Sequence, residues 1–278
     1  MFNFGVLSAQ MVEIISKQDL PQPINETSGL AEVGGLFLTH NDSGGKPNLY
    51  SFTSQGQLQD TIAIVDQKNT DWEDLAQDDQ FIYIANTGNN FGKRKKLRIL
   101  KLPKALEAPV KAEVIRVNYA QQQDFTPRKK HPYDSEGLTA MGDHLLMFSK
   151  DRLHLQTHLY KVPKQAGKHT IDSSIGFDVQ SLITGADYDE KSHTLALTAY
   201  SFEGIQYLYV ANDVNPNQLE KIELKEFMIP QEPAQIEAIR VIDAQSFWVT
   251  SEAESKGLPY LLKISIAEKQ PIRTLSAN

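Results

Sequence analysis

Five stretches of this chain follow one grammar, and no other feature restricts the fold as much. Each opens with a small or acidic residue ahead of an apolar pair: SGLA from Ser28, EDLA from Glu73, EGLT from Glu136, GADY from Gly185 and EAIR from Glu237. A short apolar segment follows: LFLT (36–39), IYIA (82–85), LLMF (145–148), LALT (195–198) and FWVT (247–250). Polar loops come next, read as HNDSGG, NTGNNFGK, SKDR, AYSFEG and SEAESKG. A third segment often carries Leu-Tyr: NLYSF (48–52), LRILKL (97–102), HLYKV (158–162), YLYVA (207–211) and YLLKI (260–264). The openings Ser28, Glu73, Glu136, Gly185 and Glu237 are successively 45, 63, 49 and 52 residues apart. A more polar fourth segment fits each gap: TIAIV (61–65), AEVIRVNY (112–119), SIGFDV (174–179) and LEKIEL (219–224).

Short apolar runs between turn-forming loops, with no long helical period, predict an all-β chain. Four strands in roughly 40–50 residues is the size of a propeller blade. One blade cannot bury both faces of its sheet, but a ring of blades does so and protects most strand edges. The expected fold is one β-propeller over residues 1–278, with five blades of four strands. Six blades, one degenerate and drawn from residues 1–24 and 265–278, is the alternative. VEIIS (12–16) is the expected outer strand of the last blade, and AQQQDFTPRKKHPY (120–133) an insertion on one rim.

Propeller topology makes the repeat informative about function. The start of each innermost strand and the loop leaving the second strand share one rim. The first set holds Glu26, Asp71, Glu73, Asp134, Glu136 and Glu237, with Asp187 just inside blade four. The second holds His40, Asn41, Asp42, Asn86, Asn89, Asn90, Lys150, Asp151, Arg152, Glu252 and Glu254. Carboxylates converging on a narrow channel must take up protons, pair with bases or bind a cation. Ca²⁺ or Mg²⁺ suits oxygen donors, whereas an absence of cysteine and few histidines on the rim disfavour zinc. The alternative is that these acids accept backbone N–H bonds from the next blade and lock the ring. Ser28 and Gly185 break the acidic pattern, so a metal site here would be lopsided. In the DWEDL stretch, Trp72 and Leu75 are expected between blades and Glu73 towards the axis.

A net charge of −7 argues against a general nucleic-acid surface. Yet two basic clusters, GKRKK (92–96) and PRKK (127–130), map to the acidic rim and are joined there by Lys150 and Arg152. Beside a metal they would suit an anionic small molecule; solvated loop charge is the competing explanation. No run of 18 apolar residues exists to span a membrane. The N-terminal MFNFGVLSAQMVEI lacks a signal-peptide pattern, so the reading is periplasmic or secreted if a leader has been removed, and cytoplasmic otherwise. No nucleophile elbow or phosphate-binding loop is present, and the His154/His158 pair lacks the zincin glutamate.

The ordered series ETSGL, THNDSGG, DWEDLA, NTGNN, LRILKLP, DSEGL, FSKDR and ITGADYD resembles a group of bacterial β-propeller proteins from Glu26 to about Tyr209. More distantly, the Glu-Gly-Leu openings look like those of SdiA-regulated, phytase-like, gluconolactonase and strictosidine-synthase-like propellers. The resemblance implies a divalent cation at the channel mouth and, in some relatives, hydrolysis of lactones or phosphoesters. It carries over to Glu26, Glu73, Glu136 and Glu237 as acidic openings, and to Asn41 and Asn86 as places for an amide ligand.

These readings combine into an expected monomer that binds an anionic small molecule beside Ca²⁺ or Mg²⁺. The metal set is Glu26, Glu73, Glu136, Glu237 and Asn86. In a hydrolase version, Glu237 or His40 moves the proton while Lys150, Arg152 and Asn41 hold the ligand. The alternative is a non-enzymatic scaffold whose rim loops bind a protein or glycan.

Overall fold

The computed structural model describes residues 10–107, 109–173, 175–230, 235–253 and 257–278. They form a five-bladed β-propeller. Blade one is Thr27–Val33, Leu36–Asn41, Asn48–Phe52 and Leu58–Val65, counted from the axis outwards. Blade two is Leu75–Gln77, Phe81–Asn86, Leu97–Pro103 and Glu113–Tyr119. Blade three is Ser135–Met141, His144–Ser149, Thr157–Pro163 and Ile175–Phe177; blade four is Leu182–Asp189, Thr194–Tyr200, Gln206–Ala211 and Glu223–Ile229. Blade five is Ile236–Val241, Ser246–Ser251 and Tyr260–Ser265, and its outer strand is Glu13–Asp19, paired antiparallel with Tyr260–Ser265. Because that strand comes from the other end of the chain, ring closure rests on a ladder between the two ends.

Short extra strands trim three outer edges. Val110–Lys111 lies parallel to blade one, Gly167–Ile171 parallel to blade two, and Thr274–Ser276 antiparallel to blade four. They occupy backbone groups that would otherwise offer an open edge. One predicted strand differs: LEKIEL begins as a short 3-10 helix, Leu219–Lys221, and the strand starts only at Glu223. SIGFDV begins at residue 174, outside the described residues, and is extended over Ile175–Phe177.

The core divides into five apolar clusters, one at each blade interface. Trp72 and Leu75 join Leu38, Leu49 and Ile84 between blades one and two. Leu20, Leu30, Phe37 and Phe52 meet Leu261 and Ala238 where blade five meets blade one. Fully burying such side chains is worth about 1.5–3 kcal/mol each, so the ring is held by face-to-face packing rather than by the channel.

Hydroxyl side chains stitch the inner strands at the same interfaces. Thr184 Oγ1 donates to Ile236 O (2.7 Å), Thr87 Oγ1 to Ser135 O (2.9 Å) and Ser28 Oγ to Glu73 O. Four inner strands slip register at one point: between Ser28 and Ala31, Ser135 and Gly137, Ile183 and Gly185, and Ile236 and Ala238. The last three slips leave Glu136, Thr184 and Glu237 as the bulged residues. A bulge re-aims the extra side chain, and here it serves the mouth of the channel. Thr184, one residue before Gly185, is therefore blade four's counterpart of the two glutamates.

Candidate functional site at the axial mouth

The acids of the rim separate into two groups with different surroundings. Asp74 and Asp187 lie deeper along the channel and are consumed by backbone donors. Asp74 is fully buried and accepts Leu75 N on Oδ1 (2.8 Å), and Leu138 N (2.7 Å) and Ala186 N (2.9 Å) on Oδ2. One carboxylate thus ties blades two, three and four. Asp187 does the same between blades four and five, accepting Val241 N (2.8 Å) and pairing with Arg240 Nη1 (2.8 Å).

The second group gathers nearer the solvent. Oxygen atoms of Asp42, Asp71 and Glu73 lie within 4.8 Å of one another, as do those of Glu73, Asp134 and Glu136. Glu73 belongs to both triads. At that spacing, and with an effective dielectric near 20, each like-charge pair costs about 3–4 kcal/mol.

Neutralisation is uneven. Asp134 accepts Asn89 N (2.6 Å) and pairs with Arg152; Glu136 pairs with Lys150 and lies 3.5 Å from Arg152 Nη2. Burial works against the Lys150 ammonium, but Glu136 and Glu237 outweigh it and raise its pKa. In the other triad, Asp71 has only Arg94 at 3.8 Å, and Asp42 accepts the adjacent Ser43 N. Glu73 is 5% exposed, and no hydrogen bond or ion pair reaches its carboxylate among the described residues. Burial, then the charges of Glu136, Asp42, Asp134 and Asp71, push its pKa well up. Burial likewise raises Asp42 to about 7, Glu237 to about 8 and Glu252 to about 9, with neighbouring acids adding to the effect.

Gly88 makes room for this arrangement. A Cβ there would overlap the Glu73 carboxylate and approach Asp71 Cγ to 2.6 Å. The glycine of NTGNN thus serves as a cradle for two acids.

The sequence-derived residues are distributed as follows. Glu73, Glu136 and Glu237 meet at the mouth: Glu136 contributes to the raised pKa of both of the others, and Lys150 faces Glu136 and Glu237. Lys150 and Arg152 are there too, but both are committed to acids. Glu26 is solvent-exposed on the outer rim, where its charge is felt by Glu252. Asn86 Oδ1 accepts from Arg94 Nη2 (2.7 Å), and Asn41 Nδ2 donates to Pro23 O (3.0 Å). His40 is fully buried, 5.4 Å edge-on to Trp72, with Nδ1 3.1 Å from Asn41 O. Burial lowers its pKa to about 4, so it is a neutral packing residue between blades at ordinary pH. Glu254 lies outside the described residues.

The expected metal set omitted Asp42 and Asp71, and the basic residue that joins the mouth from GKRKK is Arg94. A signal for Asp71 was present in the chain: Asp-x-Glu occurs at 71–73 and again at 134–136.

No family model matches the chain, and no curated protein matches it in sequence. Solved structures do match. A glutaminyl cyclase from Myxococcus xanthus aligns over 96% of this chain and 97% of its own, with 12% identity and a TM-score of 0.53. A hypothetical protein from Leishmania major aligns over 94% of each chain at 8% identity, with a TM-score of 0.50. The PQQ-bound aldose sugar dehydrogenase of Streptomyces coelicolor covers 91% of this chain and 97% of its own at 9% identity, with a TM-score of 0.49. At 12% and 8% identity the likeness to the first two is one of fold, shared along nearly the whole chain.

Proposed function

We propose that the axial mouth binds a divalent cation, held by Asp42, Asp71 and Glu73, and through it an anionic small molecule. The observation that carries this reading is Glu73: a buried carboxylate with no hydrogen-bond or ion-pair partner among the described residues, facing four other acids. Leaving such a group unpaired costs several kcal/mol unless a proton or cation joins it. Asp42, Asp71 and Glu73 offer carboxylate oxygens within 4.8 Å of one another, a hard-donor set that suits Ca²⁺ or Mg²⁺. The second triad is less suited, since Lys150 and Arg152 already neutralise it.

That commitment also changes the expected ligand chemistry. Lys150 and Arg152 have little charge to spare for an anion, so the anion's attraction comes from the cation. Binding of a carboxylate, lactone or phosphoester should therefore require the metal. A cation here would polarise an ester or phosphoryl oxygen and acidify a bound water. Burial raises the pKa of Glu237, which favours its acid form and so a proton-giving role over a proton-taking one.

Thermal denaturation with EDTA, then with Ca²⁺ or Mg²⁺, tests the proposal. Saturating Ca²⁺ at about 100 times its Kd should add about 2.7 kcal/mol of stability. Asp71→Asn should abolish that gain, while Glu26→Gln should leave it. An unchanged melting temperature with both ions would sink the cation reading.

A further inference from the structure

Among the described residues, seven large apolar side chains are exposed, and five of them sit on the loops of the acidic rim. Phe91 (44% exposed), Leu153 (48%), Phe202 (66%), Ile205 (41%) and Leu258 (51%) come from blades two, three, four and five. Such residues are ordinary when scattered and informative when other contacts bring them into one patch.

The part on blades two and three is pinned together by specific bonds. Arg128 N donates to Phe91 O (2.9 Å), and Gln122 Nε2 to Gly92 O (2.7 Å), so the 120–133 insertion is strapped to the NTGNNFGK loop. Arg152 Nη2 reaches Asn90 Oδ1 (2.8 Å), which brings the Leu153 loop alongside. This strapping merges the two basic clusters. Lys93, Lys95, Lys96, Arg128, Lys129 and Lys130 are all exposed there. Of the six, only Arg128 has an acidic partner among the described residues, Asp124 at 2.9 Å.

We propose that this rim docks on an anionic membrane surface, with Phe91 and Leu153 sinking into the headgroup layer between the six basic residues. The apolar residues are loop tips, not the floor of a groove, which suits a fluid partner that tips can penetrate. Basic residues flanking apolar tips match the charge of anionic lipid and the apolar layer beneath it. Among the described residues no helix is long and apolar enough to cross a membrane, so the contact proposed is peripheral. It needs no bound metal.

Co-sedimentation in EDTA provides the test, using vesicles of phosphatidylcholine alone and of phosphatidylcholine mixed with phosphatidylserine. The protein should pellet with the mixed vesicles and be released by high salt. Lys129→Gln with Lys130→Gln should weaken binding by about thirtyfold. Phe91→Ser should weaken it by about tenfold and keep the salt dependence. Lys191→Glu, on the opposite rim, should bind as wild type. Equal or absent binding to the two vesicle types overturns the proposal. So does an unaffected double variant with an unchanged melting curve, or binding to polyglutamate with none to the mixed vesicles.

Discussion

Glu73 and Asp74 are neighbours in the chain, both are buried, and both pKa values are raised by burial, yet they belong to different regions with different logic. Asp74 sits in the channel interior, where three backbone N–H groups from three blades converge on it. Glu73 sits at the mouth, with Gly88 giving it space and four acids giving it repulsion. The first carboxylate satisfies donors and closes the ring; the second leaves a demand for positive charge. Burial alone therefore does not separate a structural acid from a functional one. The count of donors around it does.

Removing each carboxylate should break this contrast in opposite directions. Asp74→Ala orphans three buried N–H groups in one step and should cost about 3–5 kcal/mol in chemical denaturation. If it unfolds like the wild type, Asp74 is not a lock and the contrast is lost.

Next in size is the response to pH in EDTA. Mouth acids with raised pKa hold protons in the folded state that the unfolded chain has already released, so stability must fall as pH rises. The window runs from the ordinary carboxylate range up to the folded values, about 7 for Asp42, about 8 for Glu237 and about 9 for Glu252. Stability should drop across it by an amount on the order of a few kcal/mol, read as a falling melting temperature, and Glu252→Gln should flatten the upper end. Saturating Ca²⁺ should reduce the slope, because the cation replaces the protons. A rise in stability with pH would reverse the assigned directions.

Glu73→Gln should raise stability in EDTA at neutral pH by about 1 kcal/mol, because the neutral variant needs no proton uptake on folding, while ending the calcium response. Smallest in stability is Gly88→Ala. Its Cβ would displace the flexible end of Glu73 rather than backbone. Calorimetric titration should show weakened calcium binding with a melting curve changed by less than about 1 kcal/mol. A calcium affinity equal to wild type would mean that Glu73 is not a ligand.

Much of this was legible in residues alone. Alternating apolar segments and recurring openings marked five blades, because burial of sheet faces imposes a local period that sequence must carry. The rim assignment of Glu73, Glu136 and Glu237 followed from topology, which repeats with the blades. The one-residue difference at Thr184 against Gly185 escaped, because a bulge changes which side chain counts as first without altering composition. Likewise Asn86, His40 and Asn41 have residue types suited to a site, but Asn86 is taken up by Arg94 of its own loop, His40 packs on Trp72 of the next blade and Asn41 bonds Pro23.

The sequence by itself favoured five blades and left six open; what it determined was the blade and the rim on which charge would collect. Each depends on patterns repeated within some fifty residues. Tertiary structure decided how that charge is spent: Lys150 and Arg152 on one pair of acids, backbone donors on Asp74 and, among the described residues, nothing on Glu73. That division is set by distances of a few ångströms between blades far apart in the chain, and electrostatic energy at such distances depends on neighbours that no local pattern specifies.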